Sequence, residues 1–168
     1  MHKSYYRYWL ALHPDVKRPI GGAKQMHRLA EALSSCGREA TIIQDSADFH
    51  PGWFSSKVQT TEYKSWVRRT DLLPGRDIVI LPETFVYLFD RYAPALPKVI
   101  FNQNGAYSFG KSSAKNWPSP ASVLDCYQKP NVLHVLCVSE HDEYLLNKGF
   151  GLGASRGSRL INPIETNL

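Results

Sequence analysis

Cysteine is scarce in this chain. Cys36, Cys126 and Cys137 form an odd set with no C-x-x-C spacing. That argues against a disulfide framework and for reduced thiols in a cytoplasmic protein. Cys137 falls inside the apolar run Val132–Val138 and reads as a small buried hydrophobe. Dense runs of positive charge are also missing. The net charge of +5 is spread thinly, with its densest spots at Lys17-Arg18 and Arg68-Arg69. This excludes a nucleic-acid arm and suits an anionic ligand such as a diphosphate, or peripheral contact with an anionic inner membrane face. No apolar run approaches membrane-spanning length, and Arg7 interrupts the stretch Tyr5–Leu12 with no small-residue cleavage site after it. The six histidines share no metal-ligand spacing with each other or with cysteine, so no metal site is expected. Neither a Gly-x-Ser-x-Gly elbow nor a Gly-x-x-x-x-Gly-Lys-Ser/Thr loop is present, which removes support for hydrolase and P-loop readings.

What is present is an ordinary globular balance, 43% hydrophobic against 21% charged, over 168 residues, enough for a single domain spanning 1–168 with a real core. Nine Tyr, seven Phe and four Trp lie largely in the polar stretches, where they either line a groove or cap the core. Strand and helix signals alternate. Residues 5–12 read as a strand, His13–Gly22 as a loop, and Ala23–Cys36 as a helix closed by Gly37. Ala40–Gln44 reads as a strand, Asp45–Ser56 as a loop with exposed Trp53-Phe54, and Lys57–Arg69 as helical. Asp77–Leu81 is the clearest strand, followed by a short helix over Glu83–Tyr92 and a strand over Lys98–Phe101. After a loop over 106–120 come a helix at Ala121–Gln128, a strand at Val132–Val138, a helix at Ser139–Gly149, a glycine-rich turn and a last strand at Arg159–Ile161.

Alternating units with nearly continuous apolar strands imply an α/β fold, a Rossmann-like three-layer α/β/α sandwich on a mostly parallel sheet. Ligands of such sheets gather at the carboxyl ends of the strands, near the switch in strand order. The segments after the strands therefore hold the candidates. Gly21-Gly22 precedes the first helix and either admits a phosphate close to the backbone, with Lys24 adding charge, or makes a tight turn. Glu83, with Thr84 beside it, either accepts hydrogen bonds from sugar hydroxyls or supports its own helix start. Asn102, Gln103 and Asn104 can donate and accept together, which suits a polyhydroxylated ligand, although a turn accounts for Asn104-Gly105. Tyr107 and Phe109 offer a stacking face or pack locally; Ser139 caps a helix or faces a ligand.

Four stretches follow one another along the chain: Pro19-Ile20-Gly21-Gly22 with His27–Leu33 and Gly37, then Asp77–Thr84, then Lys98–Asn104, and last Val138-Ser139-Glu140 through Gly149-Phe150 to Leu160–Ile164. In that order they resemble the N-terminal domain of the retaining glycosyltransferases of family four, enzymes of two-domain GT-B architecture. The resemblance implies transfer of a sugar from a nucleotide-diphospho-sugar to a glycan or other hydroxyl acceptor, with no cofactor besides that donor. It implies donor or phosphate contacts at Gly21, Gly22 and Lys24, and acceptor contacts at Glu83, Thr84, Asn102, Gln103, Asn104, Tyr107 and Ser139. The nucleotide would belong to a C-terminal domain, expected to lie beyond Leu168, so the piece alone is expected to be inactive and to expose apolar surface near Trp53 and Phe54. Many relatives carry a His after the strand matched by Val99–Phe101, where this chain has Gln103, which leaves no His-centred role there. Two other readings stand beside it. One is a non-enzymatic sugar-binding module. The other is a dinucleotide protein using Asp45, ~20 residues past the glycine pair, although Gly21-Gly22 is not G-x-G-x-x-G.

Overall fold

The computed structural model describes residues 6–12, 14–109, 118–152 and 157–160. Expectations that fall on Tyr5, on His13, on residues 110–117 of the long loop, on 153–156 of the glycine-rich turn, and on Ile161 with the Asn162-Pro163 pair lie outside the described residues.

Seven strands form one sheet: β1 (Arg7–Ala11), β2 (Glu39–Gln44), β3 (Gln59–Glu62), β4 (Asp77–Pro82), β5 (Lys98–Asn102), β6 (Val132–Cys137) and β7 (Gly157–Arg159). Their spatial order is β3-β2-β1-β4-β5-β6-β7, and every neighbouring pair is parallel. The fold is therefore Rossmann-like α/β. From β1 the chain moves outward through β2 to β3, then returns across the sheet to β4 and moves outward the other way. The switch point lies between β1 and β4.

Strand alternation sends side chains to two faces. Trp9, Ala11, Ile43, Val79, Leu81 and Ile100 enter one core; Leu10, Leu12, Ile42, Ile80 and Phe101 enter the other. The second core is covered by α1 (Gly21–Ser35), which buries Ala23, Met26, His27 and Ala30 at helical spacing. No side chain caps the start of α1 and no acid stands in its first turn, so packing holds it. It stops at Gly37 (φ 71°), where the Arg38 and Gly37 amides return to the carbonyls of Leu33 and Ser34. On the first core lie α2 (Tyr63–Trp66), a 3₁₀ helix over Glu83–Arg91, α4 (Pro120–Tyr127) and α5 (Glu140–Phe150), while α3 (Gly105–Ser108) follows β5 as a single turn. Among the described residues, no helix is long and apolar enough to cross a membrane.

Three expectations are corrected. The segment Lys57–Arg69 is not one helix: Gln59–Glu62 pairs with Thr41–Gln44 as the edge strand and only Tyr63–Trp66 turns helical, because the β-branched Thr60 and Thr61 fit a ladder beside β2. Trp53 and Phe54 are half-buried rather than exposed. Trp53 packs on the α1-side core, and Phe54 meets the His27 ring edge-on at 5.0 Å. The last strand begins earlier than expected, at Gly157.

Candidate functional site

A cavity of about 760 Å³ opens at the switch point, against the carboxyl ends of β1, β4 and β5. The loop after β1 gives Pro14, Asp15, Val16, Lys17, Arg18 and Ile20; α1 adds Gly22, Ala23 and Met26. From the far wall come Pro82, Glu83, Thr84 and Phe85 after β4, and Gln103, Asn104 and Tyr107 after β5. The two loops meet closely. A methyl group added at Gly22 would come within 3.0 Å of Gln103 Oε1, whereas one at Gly21 would meet nothing within 4 Å. Packing among the described residues therefore does not account for glycine at position 21.

Glu83 is the buried ionisable group of the cavity wall, 4% exposed. It follows Pro82 directly, so the extended end of β4 delivers it to the floor while the 3₁₀ helix begins. Burial raises its carboxyl from 4.5 to about 7, a rise helped by Asp142 and opposed by the backbone amides of Gln103, Glu83 and Asn104. Its Oε2 accepts from the Gln103 amide at 3.0 Å. Asp142 plays the matching part from α5, where Oδ1 accepts from the Gly105 amide at 2.7 Å and Oδ2 from the Ser139 hydroxyl at 2.7 Å. Gly105 fits because a Cβ there would lie 3.0 Å from Asp142 Oδ1 and from Leu145. Two carboxylates thus clamp the loop that presents Gln103 and Asn104.

The sequence candidates separate accordingly. Gly22, Glu83, Thr84, Gln103, Asn104 and Tyr107 line the cavity, with Gly21 exposed at its edge. Asn102 does not reach it. Its side chain is fully buried, with Nδ2 donating to Ser108 Oγ at 2.7 Å and to Tyr127 Oη at 2.8 Å, because as the last residue of β5 it points into the layer of α3 and α4. Ser139 is likewise absent from the lining and serves as the cap of α5, accepting from the Asp142 amide at 3.1 Å. Lys24, half-buried, is not a lining residue either, since it lies beyond Ala23 on the helix. Asp45 also lies outside the cavity; its amide is bound by Asp15, whose two oxygens tie down Asp45 and Ser46.

No protein-family model matches this sequence, and no curated protein does. The residues themselves must carry the argument. Sequence reasoning missed Val16, Ile20, Met26 and Phe85 as cavity wall, and Asp142 as a clamp. The first four carried no signal beyond being apolar; Asp142 stood inside an ordinary capping pattern that concealed its second bond. A depression of about 730 Å³ lies elsewhere, against the amino ends of β2 and β3, lined by Arg28, Arg38 and Lys57 with Glu31 and Glu39. Its charged side chains are all solvated or partly so, and Arg28 is already paired with Glu31 at 2.6 Å. Among the described residues, no group of three or more His, Cys, Asp or Glu is arranged to hold a metal ion.

Chemically, the cavity offers hydrogen-bonding groups at Thr84, Gln103 and Asn104, an acid that titrates near neutrality, and a helix start with an open glycine. Those parts can order a hydroxylated ligand and let a phosphate approach backbone amides.

Proposed function

We propose that this chain is the acceptor-side half of an enzyme transferring a sugar from a nucleotide-diphospho-sugar to a hydroxyl acceptor. The supporting observation is that Gly22 and the Gln103-Asn104 loop meet across one cavity at the switch point of an all-parallel sheet. In this reading the acceptor lies in the cavity with Thr84, Gln103 and Asn104 on its hydroxyls. The donor's diphosphate approaches the open start of α1 at Gly21-Gly22, while the nucleotide is held by a second domain. The acceptor oxygen bonds to the anomeric carbon and loses its proton, and the bond from that carbon to the diphosphate breaks with its electron pair going to the diphosphate. The chain contributes positioning and a favourable field for the leaving charge. Glu83, buried beside the acceptor position, can take the hydroxyl proton when it is ionised.

Titrating the isotope-labelled chain separately with glycans, UDP, GDP and NADH, and following backbone amides, tests this. Glycans should move the amides of Thr84, Gln103 and Asn104, and nucleotides should bind weakly, with shifts confined to Gly21 and Gly22. Tight NADH binding, or glycan shifts that avoid the cavity, would overturn the reading.

A further inference from the structure

We propose that the ligand of this cavity combines an apolar chain with an anionic group such as a phosphate. The proposal rests on the reading above that the cavity is the acceptor's site, and it names the acceptor's class.

Four segments line the same space with apolar side chains: Val16 and Ile20 from the loop, Met26, itself closed off from water, from α1, Phe85 after β4 and Tyr107 after β5. Ile20 is 40% exposed and Tyr107 37%, so apolar surface is left facing the opening. A ligand made only of hydroxyls would strand that surface against polar groups, while an alkyl chain would remove it from water. The rim has the opposite character. Lys17 and Arg18 are exposed, and no described carboxylate pairs with either. The two acids of the cavity lining hold other partners. Asp15 binds Asp45 and Ser46 with both oxygens, and Glu83 is buried against the Gln103 amide. The cations at the amino edge of the sheet contrast with these: Arg7 and Arg69 both reach Asp71. Unpaired positive charge at the mouth of an apolar cavity suits a ligand whose anionic head stays at the rim while its chain fills the interior.

The test is calorimetric titration of the full chain with butyl, hexyl and octyl phosphate, inorganic phosphate and octyl glucoside, at low and high salt. Affinity should rise on the order of two- to fourfold per added methylene. Octyl phosphate should bind about three- to tenfold tighter than octyl glucoside at low salt, an advantage that shrinks at high salt. Lys17→Ser combined with Arg18→Ser should bring octyl phosphate down to the glucoside's level, and Ile20→Ser, at a side chain 40% exposed, should weaken every alkyl ligand, octyl glucoside included. Flotation with phosphatidylcholine vesicles, plain or carrying dodecyl phosphate, separates the sources. Capture by the doped vesicles alone supports a membrane-presented acceptor; binding of octyl phosphate without capture supports a soluble one. Affinity independent of chain length, equal binding of octyl phosphate and octyl glucoside, or displacement of octyl phosphate by UDP would overturn the proposal. Glycan binding in the cavity with no alkyl phosphate binding would overturn this acceptor class and leave sugar transfer standing. Alkyl phosphate binding by a complete enzyme that transfers no sugar would do the reverse.

Discussion

The two edges of the sheet treat charge in opposite ways. At the amino edge, Arg7 and Asp77 stand side by side in register on β1 and β4, and Asp77 is fully buried. It accepts from Arg7 Nε at 2.7 Å, Trp9 Nε1 at 2.8 Å and the Leu73 amide at 2.8 Å. Burial alone would raise its carboxyl, but those donors outweigh it and hold it below the usual carboxylate range. Lys98, buried at the start of β5, donates to the carbonyls of Ala93 and Leu96, both at 2.8 Å. The buried charges there, Asp77 and Lys98, are thus closed upon partners. At the carboxyl edge, by contrast, an acid is buried at the cost of its charge, two exposed cations meet no described carboxylate, and a glycine with no described neighbour begins a helix. The same backbone layout thus uses charge for cohesion at one end and leaves it uncommitted at the other, which is where a ligand can complete it.

The largest test of this contrast is Asp77→Ala. It leaves Arg7 with Asp71 as its one carboxylate partner among the described residues, strands the Trp9 indole N–H and the Leu73 amide, and should lose about 3–5 kcal/mol in urea unfolding. A loss below about 1 kcal/mol would break the comparison, because the amino edge would then not be a cohesive network. Next comes Glu83→Gln. Its raised carboxyl contributes stability that is complete below 4.5 and is lost as pH rises through about 7. Glutamine still accepts from the Gln103 amide but carries no charge, so the variant should exceed the parent by on the order of 2–3 kcal/mol at pH 8 and by little at pH 4. His27 sharpens the same measurement from the other direction. Burial lowers its ring from 6.5 to about 4, so its contribution is present above 6.5 and is lost as pH falls through about 4. Between 4.5 and 6.5 the two slopes oppose each other. The Glu83→Gln variant should therefore expose a rise in stability with pH across that window, on the order of 1–2 kcal/mol. The smallest effect is expected from Gly21→Ala, which meets no neighbour and should stabilise α1 by up to about 1 kcal/mol while weakening phosphate ligands. A variant that binds as well as the parent would reduce Gly21 to a helix start.

Most of the fold was legible because the strands are nearly unbroken apolar runs and their breaks are glycine, proline or polar clusters. Asp77–Pro82 and Val132–Cys137 read as strands from their apolar runs, and the first is buried throughout. The segment Gln59–Glu62 was not legible, since its threonines and charged neighbours become a strand only by pairing with β2. The site was legible in outline only. Glu83, Gln103 and Asn104 were found because they follow strands, but the same reasoning included Asn102 and Ser139, whose side chains turn toward Tyr127 and into a helix cap.

From the order of its residues alone this chain settles its apolar strands, that they run parallel, and that polar loops collect at one edge, because hydrophobic periodicity and turn chemistry are local properties. Which loops face one another is a different matter. The approach of Gly22 to Gln103, the burial that raises the Glu83 carboxyl, and the lack of any described carboxylate against Lys17 and Arg18 arise only when β1 and β4 become neighbours. Charge and solvation depend on distances across the chain, and those distances exist only in the folded molecule.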